Sequence, residues 1–405
     1  MEYEYLPEFD SIRPYNDDEL KGALDSLLKD RQLNVILKGA VPWLPRWARN
    51  GIIRMAFIGV KSPMDFQVRF MKPIVRYILR KCCTGYSFGH DKIKAGKPRY
   101  TFISNHRDIV LDSAILDVML HDAHFPTTCE IAIGDNLLIY PWIETIVKMN
   151  KAFTVKRGLA SRDLLNSSLT MSRYMHYAIN AKHENIWIAQ REGRAKDSDD
   201  RTQESVLKMV ALGGEGSPVE RLRDMNIVPL TISYEYDPCD YLKAMEFQMK
   251  RDDPSYKKTP QDDLKNMDTG ILGFKGKVHY EASPCINDWI DDFAELPKTE
   301  VYKEIAKRID HEIHLGYRLF PGNYVALDEL NGRQDYSDQY TPEEKQNFDQ
   351  YVEKQLKKVK LENPDWDFLR ERILTMYANP VKNKFKAMAA GEEPEPQPAQ
   401  PSEEV

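Results

Sequence analysis

A chain of 405 residues, 42% hydrophobic and 30% charged, can bury a large core, which excludes a disordered polymer and an array of small modules. The net charge of −6, with no RNA- or DNA-binding motif, argues against a nucleic-acid partner. Five cysteines (Cys82, Cys83, Cys129, Cys239 and Cys285) without a CxxC pair fit a reducing setting and exclude a zinc ribbon or a dithiol centre.

The first 30 residues form an acidic, aromatic arm rather than a basic-then-apolar leader. No run approaches the roughly 20 apolar residues of a membrane span, so any membrane contact is expected to be peripheral, at the cytoplasmic face. Residues 31–97 are expected to hold basic amphipathic helices. Between Arg46 and Lys81 there are nine Lys or Arg and one acid, Asp65, interleaved with Trp43, Trp47, Ile52, Met55, Phe57, Ile58, Phe70 and Ile74. Such a stretch can seat its rings among lipid headgroups while its cations meet anionic phosphates. It can equally be a pair of amphipathic helices packed on the protein's own core. Adjacent Cys82 and Cys83 are read as buried thiols.

Residues 98–290 read as an α/β domain. Strands are expected at 100–103, 130–133, 152–155, 185–189, 227–234 and 277–281, with helices at 109–121, 141–149, 161–182 and 203–212. This alternation predicts a mixed, mostly parallel sheet flanked by helices. Residues 291–380 form a helical C-terminal appendage, with helices at 298–315, 341–361 and 366–378. Residues 381–405 are expected to be a disordered tail, since 390–405 hold four prolines and five glutamates and almost nothing apolar.

Four segments carry chemistry. In Asn105-His106-Arg107-Asp108-Ile109-Val110-Leu111-Asp112, a histidine at a strand end is followed by two carboxylates. An imidazole can take the proton of an alcohol, and a carboxylate on its second nitrogen holds the productive tautomer. The plainer reading makes Asp108 a helix cap and His106 a polar strand-end residue. Lys156 and Arg157 end the strand at 152–155, where cations can hold a phosphate or stand merely solvated. Glu192-Gly193-Arg194 follows the strand at 185–189, with Gly193 allowing a sharp turn. Val228-Pro229 opens a further strand, where a missing amide donor is tolerated.

In this order the four segments resemble the blocks of the glycerol-3-phosphate and 1-acylglycerol-3-phosphate acyltransferase family: NHx4D, a Phe-Ile-Arg strand end, a Glu-Gly-x-Arg loop and a Val-Pro strand. The paired cations Lys156-Arg157 look more like the glycerol-3-phosphate branch. The resemblance covers roughly residues 100–234. Two departures stand out. The family's Asp position is occupied by Leu111, so that either Asp112, one residue later, or Asp108 orients His106; Asp112 is the favoured candidate. The third block is one residue short, because Arg194 directly follows Gly193.

The resemblance implies transfer of a fatty acyl group from acyl-CoA or acyl carrier protein to a glycerol hydroxyl, with no cofactor and no metal. His106 would be the base and Asp112 or Asp108 its orienter. Arg157 and Arg194, helped by Lys156 and placed by the Glu192-Gly193 turn, would hold the acceptor's phosphate. The expected partners are an anionic membrane surface, the glycerol phosphate or lysophospholipid acceptor and, as donor, acyl carrier protein. The alternatives are acylation of another lyso-lipid, such as an aminolipid, and a non-catalytic membrane-binding relative. A hydrolase is disfavoured because no Gly-x-Ser-x-Gly elbow occurs. His311-Glu312-Ile313-His314 has the wrong spacing for a zinc-protease helix and is read as an exposed helical face.

Overall fold

Short apolar runs separated by longer amphipathic stretches fold into one seven-stranded sheet with helices on both faces. The computed structural model describes residues 3–96 and 99–392. An N-terminal helical region comprises α1 (Leu20–Lys29), α2 (Arg31–Ala40), α3 (Arg46–Ala56), the single turn α4 (Pro63–Asp65) and α5 (Lys72–Cys82). The sheet region follows: β1 (Cys83–Gly89), β2 (Thr101–Ser104), α6 (Leu111–Asp122), β3 (Cys129–Gly134), α7 (Pro141–Met149), β4 (Ala152–Val155), α8 (Ser161–Asn180), β5 (Asn185–Ala189), α9 (Glu204–Ala211), α10 (Pro218–Arg223) and β6 (Ile227–Tyr234). Helices α11 (Asp240–Asp252) and α12 (Pro260–Leu272) precede β7 (Gly276–Ala282). Helices α13 (Val301–Leu315), α14 (Pro321–Asn331), α15 (Pro342–Leu356) and α16 (Trp366–Glu392) complete the chain.

The strand order is β1-β7-β6-β2-β5-β3-β4, parallel throughout except for the β6–β7 pair. This is the mixed, mostly parallel sheet that the alternation predicts. Every residue of β2 and β6 is buried, as strands covered on both faces must be. Ile115, Leu116, Leu120 and Trp187 belong to the core on one face, under α5 and α6. Met171, Met175, Leu207 and Ile309 belong to the core on the other, under α8, α9 and α13. Helices α11, α14, α15 and α16 build a third core around Val325, Val352 and Ile373.

Four expectations are corrected. Residues 83–89, placed among the amphipathic helices, form the edge strand β1, which pairs with β7 despite Gly85 and Gly89. Helix α16 does not stop at Ala378 but continues through Pro380 to Glu392, inside the region read as a disordered tail; packing against α11 and α14 offsets the hydrogen bond that proline removes. The remainder of that tail, 393–405, lies outside the described residues. Glu312 and His314 are buried, not exposed, because α13 packs its face against the sheet and His314 Nε2 donates to the Asp200 carbonyl at 2.8 Å. Cys82 is buried, but Cys83, at the start of the edge strand, is only half-buried.

The N-terminal apolar residues divide between buried and exposed positions. Phe57, Phe66 and Phe70 pack together over α1 and α7. Trp43 and Trp47 are each 78% exposed, and Val35, Ile36, Met55 and Ile58 are exposed with them. Among the described residues no helix is long and apolar enough to cross a membrane.

Candidate active site

The turn after β2 is fixed by Asn105, whose amide continues the sheet. Its Nδ2 donates to the Ile232 carbonyl at 2.9 Å and its Oδ1 accepts the Ile232 amide at 2.7 Å. Arg107 is buried, and it donates through both terminal nitrogens to Asp200, at 2.6 and 3.3 Å. Asp200 also accepts from Asn105 Nδ2 and from the Tyr317 hydroxyl. With both neighbours tied down, the turn that carries His106 is held in place.

His106 is 13% exposed, and its Nδ1 lies 2.8 Å from Asp112 Oδ2. The same oxygen accepts the amides of Arg107 (2.6 Å) and Asp108 (3.1 Å), while Oδ1 accepts the Tyr234 hydroxyl at 3.0 Å. An oxygen that accepts two backbone amides also accepts from the imidazole, which makes Nδ1 the nitrogen that carries hydrogen and leaves Nε2 free to accept a proton. Trp187 meets the imidazole edge-on at a centroid distance of 5.6 Å.

Asp108 points elsewhere. Its Oδ1 accepts the Val110 and Leu111 amides at 2.9 and 2.8 Å, an Asx turn at the mouth of α6. Burial, then the neighbouring Asp112 carboxylate, pushes its carboxyl above the ordinary range. Helix α12 passes so close that a Cβ on Gly270 would lie 2.3 Å from Asp108 Oδ2. The two acids that the sequence leaves in competition are thereby separated: Asp112 contacts the imidazole and Asp108 shapes the loop.

His106 lines a cavity of about 680 Å³ at the carboxyl ends of β3 and β5, the edge of an open α/β sheet where ligands usually bind. The walls are largely apolar, with Val110, Ile131, Trp187 and, from α7, Trp142 and Ile146. The rim is cationic. Arg157 pairs with Glu192 at 3.3 Å. Arg194 donates to Asn266 Oδ1 at 2.9 Å through Nη2, while its Nη1 is buried without a partner among the described residues. Gly193 takes the left-handed conformation, φ +69°, that the turn between Glu192 and Arg194 requires.

The structure thus brings His106, Asp112, Arg157, Glu192, Gly193 and Arg194 to one cavity or its direct support. Lys156 is not among them; it lines a neighbouring cavity together with Arg157. Three rim cations escaped the sequence reading: Arg191, Lys196 and Lys258. Arg191 stands beside Glu192 in the same loop and could have been found there. Lys258 lies between α11 and α12, where nothing in the sequence signals a site. Lys196 is bound to Glu246 and Lys258 to Asp263. Among the described residues no group of three or more His, Cys, Asp and Glu side chains converges.

Residues 88–233, which hold all four sequence segments, match the family model described as Acyltransferase. The chain is also similar to the crystal structure of the 1-acyl-sn-glycerophosphate acyltransferase PlsC from Thermotoga maritima. Identity is 12% and the TM-score 0.35, over 71% of this chain and 95% of that one. No curated protein matches the chain.

Proposed function

We propose that the protein is a glycerolipid acyltransferase that moves a fatty acyl group from acyl-CoA or acyl carrier protein to a hydroxyl of glycerol-3-phosphate or 1-acylglycerol-3-phosphate. The observation that carries the reading is the His106–Asp112 pair at the head of an apolar cavity with a cationic rim. The Acyltransferase match over the same residues supports the chemistry.

His106 Nε2 takes the acceptor's hydroxyl proton as its oxygen attacks the thioester carbonyl. The tetrahedral intermediate then expels the thiolate, breaking the C–S bond, and the imidazolium returns the proton to sulfur. Asp112 holds the tautomer and stabilises the imidazolium. The apolar walls take the acyl chain, and Arg157 and Arg194, joined by Arg191, hold the acceptor's phosphate. Lys156 contributes from the neighbouring cavity. The exposed Trp43 and Trp47, with the cations around them, seat the protein peripherally on an anionic cytoplasmic membrane face.

The test is thiol release by purified protein on anionic vesicles carrying a long-chain acyl thioester and either acceptor, with His106→Ala as control. Transfer that disappears in the variant supports the reading; transfer at the same rate overturns it.

A further inference from the structure

We infer that the protein binds a second lipid chain on the opposite face of the sheet, and that its acceptor is an anionic lysolipid already carrying one acyl chain. The inference rests on the acyltransferase reading and narrows its acceptor.

A second cavity, of about 420 Å³, lies across the sheet from the first. Side chains alternate along a strand, so Ile131 and Trp187 face the catalytic cavity while Ile188 faces the second; the small Ala132 and Ala189 line both. The far wall is Leu164 and Met171 of α8 with Val206 and Met209 of α9. The two cavities meet over the strand ends, where both are lined by Gly134, Arg157, Arg191 and Glu192.

That partition sets two guanidiniums, Arg157 and Arg191, against one carboxylate, Glu192, which pairs with Arg157 at 3.3 Å, and so keeps a net positive charge for an anion. Arg191 Nε is buried with no hydrogen-bond partner among the described residues, a position costly to leave unfilled. Gly134 makes room for the second guanidinium: a Cβ there would lie 2.8 Å from Arg157 Nε. An anion centred on Arg157 and Arg191 has one largely apolar cavity on each side, the second carrying Ser167, Ser168 and Gln203 among its apolar side chains. A ligand filling both needs a charged centre and two apolar arms. During transfer to a lysolipid those arms are the incoming acyl chain, beside His106, and the chain the acceptor brings. Glycerol-3-phosphate alone would leave the second cavity empty. Leu164, exposed at the start of α8, gives that cavity an apolar lip.

The experiment is calorimetric binding of glycerol-3-phosphate and of 1-O-alkyl-glycerol-3-phosphates of eight, ten and twelve carbons, below their micelle concentrations. No acyl thioester is present, so the free hydroxyl of each ether has no acyl group to take and binding is read without turnover. Affinity should rise by roughly fourfold for each methylene buried. Met209→Trp fills the second cavity and Leu164→Glu charges its lip; each should flatten the dependence on alkyl length. Ile146→Trp, in the first cavity, should instead shorten the acyl donor that is accepted. Equal binding of all alkyl lengths, or a length dependence that survives Met209→Trp and Leu164→Glu, overturns the inference. A rise in the KM of the thioester donor in these two variants, with the alkyl dependence intact, gives the cavity to the donor and overturns it too. Length-dependent binding without any acyl transfer would refute the proposed function while leaving the second chain site standing.

Discussion

Replacing Asp112 with asparagine tests the site most sharply, because the structure separates its electrostatic role from its structural one. Oδ2 accepts three N–H groups and Oδ1 only the Tyr234 hydroxyl. An asparagine can keep its oxygen at the first position and offer its amide to Tyr234, whose hydroxyl can turn to accept. The fold should therefore hold. What disappears is the anion beside the imidazolium that forms during proton transfer. At the observed 2.8 Å, opposite charges at an effective dielectric of about 20 attract by about 6 kcal/mol. Loss of most of that corresponds to a fall of roughly 10³- to 10⁴-fold in rate. Asp108→Asn supplies the contrast, since an asparagine Oδ1 can still accept the Val110 and Leu111 amides. It should retain a rate within a few-fold of the parent. The assay is single-turnover thiol release, with thermal melting to show that both variants are folded. An Asp112→Asn enzyme within tenfold of the parent, or an Asp108→Asn enzyme that is the more damaged of the two, would refute the assignment.

Other consequences concern stability and the surface. Burial, opposed by hydrogen bonds from Thr202, pushes the Asp310 carboxyl up to about 6 from an ordinary 3.8. The stability tied to this group is full below about pH 4 and is lost as pH rises through about 6, by about 3 kcal/mol. Asp310→Asn should flatten that decline in urea titrations run from pH 4 to 7, and an unaltered slope would exclude the group. Asp200→Ala strands the buried Arg107 guanidinium and should cost about 3–5 kcal/mol in urea denaturation. Replacing Trp43 and Trp47 together with alanine should abolish flotation with anionic vesicles and leave the melting temperature close to the parent's, because both rings are exposed. Flotation of the parent should itself weaken in high salt; binding that is indifferent to salt and to both tryptophans would remove this stretch from the membrane contact.

Much of the sheet is legible in the chain. The strands at 152–155, 185–189 and 227–234 take their expected bounds, because each is a run of apolar residues cut off by turn formers. Strand β1 is only weakly legible: Thr84, Tyr86 and Phe88 alternate with Gly85, Ser87 and Gly89, but the glycines weaken the run and most of it is exposed, and it becomes a strand because β7 offers it a free edge. Helix α11 is hidden for a different reason. It buries Asp240, Lys243, Glu246 and Gln248, so its polar residues do not mark a solvent face. Lys243 is neutralised by Asp237, and Asp240 is surrounded by donors from Tyr351, Gln355 and Tyr377.

The candidate site divides along the same line. His106 and the cations that follow β4 and β5 stand at the ends of strands that local pattern defines, so residue type and order sufficed to single out His106, Arg157 and Arg194. The choice between Asp112 and Asp108, six and two residues beyond the histidine, could not be made locally, because the loop's path decides which oxygen meets Nδ1. That path is set from afar, by Ile232 on Asn105 and by Asp200 on Arg107. Periodicity and turn chemistry act over a few residues and can be read from sequence alone. The partner of a buried charge depends on contacts spanning about a hundred residues, and only the assembled fold determines it.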